Sequence, residues 1–153
     1  MIDIGELKNF EIYFPQMQVD RSAMQKGEYV PIHTHGGHFG FLYILSGSVL
    51  IETYASQQVD DKFYLELQHA KIYGDHDYAF VTKKDNVHSI KALEDTLILD
   101  VFSVQQNSEN VQKFLRVAET KGDVLVTVPI TVEEAEVSPR LLTVETLHTS
   151  ITE

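Results

Sequence analysis

Along most of this chain apolar and polar residues alternate with a period of two, as strands do when they bury one face and solvate the other. Short runs rich in Val, Ile, Leu, Phe, Tyr and Thr predict strands at Gln16–Gln25, Tyr29–His35, Phe39–Leu45, Ser48–Tyr54, Phe63–Gln68, Tyr78–Thr82, His88–Ala92 and Thr96–Val104. Between them stand Lys26-Gly27, Ser46-Gly47, Asp60-Asp61, Gly74-Asp75, Lys84-Asp85-Asn86 and Glu94-Asp95, residue types that favour turns or accept positive φ. Strands at this spacing predict an all-β sandwich or barrel.

After Val104 the pattern changes. Asn107-Ser108-Glu109 reads as the cap of a helix over Glu109–Thr120, with Val111, Phe114, Leu115 and Ala118 on one side and Gly122 as its stop. Phe114–Ala118 reads equally as a strand. Alternation returns at Val124, Val126 and Val128 and again over Arg140–Leu147, with Glu133-Glu134-Ala135-Glu136 between. The sequence thus predicts a single domain, with a barrel over about residues 16–104 and a β-rich C-terminal extension over about residues 107–153.

Charge and composition narrow the function. Twelve Lys and Arg against 23 Asp and Glu give a net charge of −11, which repels nucleic acid and anionic membranes. With no cysteine, a disulfide framework, a thiolate metal site and a cysteine nucleophile are all excluded. The first eight residues carry acids and no apolar segment, and no run approaches the roughly 20 residues that span a bilayer, so the expected location is cytoplasmic.

His33 and His35 lie two apart in an extended run, which puts both imidazoles on one strand face, within reach of a single ion. His88 is a third candidate. In Thr96–Val104 the parity groups Ile98, Asp100 and Phe102 on one face and Leu97, Leu99 and Val101 on the other. Asp100 therefore shares its face with apolar residues and needs a partner, either in a structural pair or as a group that orients a substrate. The stripe of Leu97, Leu99 and Val101 needs cover from the extension or from a second subunit in a homodimer. His38 reads as a rim residue, His69, His76 and His148 as surface or turn residues, and Tyr43 as packing outside the lumen. Asp75-His76-Asp77 reads as a solvated turn.

Gly27, the His33/His35 pair, Gly47 and the later His88 together resemble the two motifs of the cupin superfamily, which implies a jelly-roll barrel, a double-stranded β-helix. Where that pattern usually has a glutamate, this chain has Gly40. A narrower similarity is to the cysteamine dioxygenase and plant cysteine oxidase family of thiol dioxygenases. Pro31, His33, His35, Gly37, Gly40 and Gly47 follow its first motif, and Asn86, Val87, His88, Leu99 and Asp100 its second. The chain departs from it at Thr34, Gly36 and Val104-Gln105-Gln106, the last standing where the family has Pro-Pro-Tyr.

This resemblance implies a metal held by His33, His35 and His88, with Fe(II) first and Zn, Ni or Mn also suited to imidazole. It further implies oxidation of a small thiol or an N-terminal cysteine peptide by O2 to a sulfinate. Asp100 would orient the substrate amine or an ordered water, and Leu42, Ile44, Ile98 and Phe102 would form an apolar substrate wall. Two other readings are a non-oxygenase metal-dependent cupin (isomerase, cyclase or lyase) and a non-catalytic ligand-binding module.

Overall fold

The computed structural model describes residues 17–36, 39–82, 87–103 and 113–135. Ten strands account for most of them: β1 (Met17–Met24), β2 (Tyr29–Thr34), β3 (Gly40–Ser46), β4 (Val49–Val59), β5 (Lys62–Tyr73), β6 (Tyr78–Val81), β7 (Val87–Ala92), β8 (Thr96–Ser103), β9 (Phe114–Lys121) and β10 (Val124–Ile130). One sheet has the order β1-β8-β3-β6, and the second, β10-β5-β4-β7-β2-β9, closes on itself. Apart from the β4–β5 hairpin, successive strands up to β8 switch between the sheets, the antiparallel connectivity of a jelly roll. The all-β jelly-roll expectation is met.

Parity decides which side chains meet between the sheets. Met24, Leu42, Ile44, Ala79 and Ile98 from the first sheet pack on Val49, Ile51, Tyr73, Ile90 and Ala92 from the second. Val87, of opposite parity to Ile90 and Ala92, joins Ile32, Tyr54, Phe63, Leu65 and Leu115 in a separate core within the closed barrel, with register shifts in the β2–β7 and β4–β5 ladders between the two cores. Strand β2 and strand β7 are therefore buried on both faces.

The helix expected over Glu109–Thr120 is corrected in its described part, where Phe114–Lys121 is strand β9. Its apolar positions fit either period, and pairing decides: β9 bonds to β10 along its length and to β2 at His33, closing the second sheet. The acidic segment instead begins a helical turn at 132–135, capped reciprocally by Thr131 Oγ1, which accepts from Glu134 N–H, and Glu134 Oε1, which accepts from Thr131 N–H. The segment Arg140–Leu147, His38, His148 and the turn Lys84-Asp85-Asn86 lie outside the described residues.

On the outer face of the first sheet, Leu99 and Val101 are buried with Tyr43, and Met17, Val19, Phe41, Leu45 and Tyr78 pack around them. Leu97 remains exposed. The described strands of the extension, β9 and β10, hydrogen-bond into the second sheet. His69 sits within β5, paired with Thr53, and not at a turn.

Candidate metal centre

Strand β2 carries His33 inward, and His35 follows one residue beyond its end. His88 enters from β7, where it is the direct cross-strand partner of His33. Ring centroids are 4.7 Å apart for His33 and His35, 4.6 Å for His33 and His88, and 4.5 Å for His35 and His88. One nitrogen of each ring lies within 4.8 Å of the others, and among the described residues no other group of His, Asp or Glu meets that spacing.

Burial sets the protonation of these rings. His33 and His88 are 3% exposed and His35 7%. Loss of water, then the neighbouring His35, pushes the His33 pKa down to about 3, and loss of water, then His33 and His35, holds His88 well below its ordinary value. His33 and His88 are thus disposed toward the neutral form, the form that ligates metals. The carbonyl of Pro31 can only accept, so His33 Nδ1 donates to it at 2.7 Å, and the Nε2 lone pair is left for a ligand. His88 Nε2 is buried without a hydrogen-bond partner. An orphaned ring nitrogen beside two other buried imidazoles costs free energy that a bound cation would relieve, so this donor set fits a metal ion.

Gly40, where the resemblance would place a glutamate, has no room for one. A Cβ at this position would run into the Val101 carbonyl oxygen and come within 2.8 Å of Phe102 Cα. Strand β3 approaches β8 too closely for any side chain, and a glutamate ligand has no room there. Phe102, which pairs with Gly40, stacks its ring on His35 at a centroid distance of 5.4 Å and an angle of 8°.

A cavity of about 540 Å3 opens over the histidines, a size typical of small-molecule sites. Leu42, Ile98, Phe102 and Asp100 line it, as their shared parity implied. Ile44 does not: it is fully buried in the core between the sheets, because parity fixes a side chain's face but not its depth along the strand. Asp100 Oδ2 accepts from Ser22 Oγ at 3.1 Å, and burial raises its pKa.

Asp75, His76 and Asp77 do not converge. Asp75 accepts from Gly47 N–H, Asp77 from Gly74 N–H, and the His76 ring bonds to the Tyr43 hydroxyl at 2.9 Å. Sequence reasoning missed Glu52, which is 3% exposed and accepts from the Tyr54 hydroxyl at 3.0 Å. Burial pushes its pKa up to about 7. The signal was present in Val49-Leu50-Ile51-Glu52, an acid continuing an apolar run on a strand buried on both faces.

No protein-family model matches this sequence, and no curated protein sequence is similar to it. Solved structures with a similar fold include cupin-superfamily proteins. Peruvianin-I, a cysteine peptidase from Thevetia peruviana latex, is 13% identical with a TM-score of 0.49, over 65% of this chain and 56% of its own. The chain therefore spans little more than half of that protein's length. A cupin superfamily protein of Desulfitobacterium hafniense is 18% identical with a TM-score of 0.43, over 59% and 69% of the two chains. An oxalate decarboxylase of Lactobacillus farciminis is 18% identical with a TM-score of 0.47, over 64% and 26%. At these identities and TM-scores the likeness assigns neither a family nor a function to this chain. Among the described residues no helix is long and apolar enough to cross a membrane.

Proposed function

We propose that the protein is a metal-dependent thiol dioxygenase, with His33, His35 and His88 as the ligands of a non-haem Fe(II). The observation that carries this reading is the buried, convergent set of three imidazoles, with His88 Nε2 unpartnered and no room for a side chain at Gly40. A dication held only by neutral ligands keeps its full charge, lowers the pKa of a coordinated thiol and leaves open positions for substrate and O2. The reaction is RSH + O2 → RSO2H, in which both oxygen atoms pass to sulfur and no external reductant is needed.

The chain's own residues then have defined tasks. Leu42, Ile98 and Phe102 exclude water from the reacting end of the cavity. Phe102 also holds the His35 ring by stacking. Asp100, anchored by Ser22, faces the substrate and orients it. The test is oxygen consumption by iron-loaded protein against a panel of small thiols and N-terminal cysteine peptides, with the product weighed by mass spectrometry. Uptake that requires a thiol, and a product heavier by two oxygen atoms, supports the reading. Turnover of a non-thiol substrate without O2 would place the protein among lyases or isomerases instead.

A further inference from the structure

The first sheet ends at β6, whose sequence Tyr78-Ala79-Phe80-Val81 carries no charge and no proline. Among the described strands only β3 pairs with it. Ile44 N–H donates to the Asp77 carbonyl at 3.0 Å, and bonded pairs alternate along an antiparallel ladder. The backbone of Ala79 and Val81 therefore turns to β3, and the N–H and C=O of Phe80 turn outward along the sheet edge. Proteins blunt such edges with lysine, proline or a bulge, and β6 has none of these.

The side chains repeat the pattern. Ala79 and Val81 are buried, while Phe80 is 68% exposed, the most exposed large apolar side chain among the described residues. Its ring stacks on Tyr78 at 6.1 Å and 11° and lies 6.0 Å from the Phe41 ring on β3. This aromatic surface continues the apolar outer face built on Tyr43, Leu99 and Val101. Among the described residues, none of β6 lines the cavity over the histidines.

Charge at the two ends of the strand selects the partner. Asp75-His76-Asp77 precedes β6 and Lys83-Lys84-Asp85 follows it, so the approach is net acidic and the exit net basic. A second β6 laid antiparallel sets acid against base at both ends, whereas a parallel one sets like against like. About a two-fold axis the same edge then serves both copies.

We propose that β6 is the contact edge of a homodimer, in which the β6 strands of two copies pair antiparallel and the Phe80 rings meet across the two-fold axis. The two four-stranded sheets become one continuous sheet. Nothing in this contact depends on the metal centre. Four residues a side make a small interface, so the dimer forms reversibly.

Sedimentation velocity of the full chain over about 5 to 500 μM tests it. The average mass should climb with concentration toward twice that of the chain. Phe80→Lys puts like charges together at the axis without touching the core, and should weaken association about 100-fold or more. Ile72→Lys, which removes a 60% exposed apolar side chain from β5, should leave association unchanged. Hydrogen exchange at the Phe80 amide should slow as concentration rises, because that N–H becomes a ladder donor. A chain that is monomeric at every concentration overturns the proposal. So does association that survives Phe80→Lys, that is lost equally in Ile72→Lys, or that leaves exchange at Phe80 unchanged.

Discussion

His33 and His88 are direct partners across the β2–β7 ladder, with ring centroids 4.6 Å apart, and both strands are buried on two faces. Sheet hydrogen bonding, not a flexible loop, sets the spacing of two of the three candidate ligands. A site held this way exists before its metal arrives, and binding to the folded state alone stabilises it. A divalent ion at 100 times its Kd should raise Tm by about 5–10 °C, with chelator reversing the shift. Calorimetry with and without metal checks this.

Gly40→Ala tests the close approach of β3 to β8. Because the obstructing atoms are backbone, Val101 O and Phe102 Cα, the strands must separate to admit a methyl group. The expected cost is about 2–4 kcal/mol by urea unfolding. Gly40→Glu should be at least as destabilising and should not increase metal affinity.

Glu52 makes stability depend on pH in a defined direction. Its folded-state pKa, about 7, lies above its ordinary 4.5, so the folded protein binds the proton more tightly than the unfolded chain does. The resulting stability is present in full below about pH 4.5 and is lost as pH rises through about 7. Glu52→Gln keeps an acceptor for the Tyr54 hydroxyl and removes the charge. Its Tm should match wild type near pH 4.5 and exceed it by about 2–6 °C at pH 8. A constant difference at both pH values would contradict burial as the cause.

Asp100→Asn separates an orienting role from a structural one. Asparagine can still accept from Ser22, so fold and metal content should be unchanged. Oxygen uptake with a thiol substrate should fall by roughly 10²-fold, the penalty for a misplaced reacting group. Unchanged turnover in an iron-loaded variant would restrict Asp100 to its hydrogen bond with Ser22.

Period-two alternation revealed the first eight strands and the inward parity of Asp100, because a strand with one solvated face writes its orientation into the sequence. The β4–β5 hairpin ran further than expected, to Val59 and Lys62, since Ala55–Val59 is exposed and has no apolar face to announce it. Phe114, Leu115 and Ala118 satisfied two periods at once, and only the partners of β9 chose between them. The same limit applies to Ile44, whose face was legible and whose depth was not.

The central claim is that three histidines from β2 and β7 and the end of β2 hold one metal ion, and metal content measures it most directly. Wild-type protein reconstituted with Fe(II) under anaerobic conditions and desalted should retain about one equivalent, and His88→Ala, with an unchanged circular dichroism spectrum, less than about a tenth of that. Wild-type protein that retains no iron, or a His88→Ala variant that retains a full equivalent, would contradict the account.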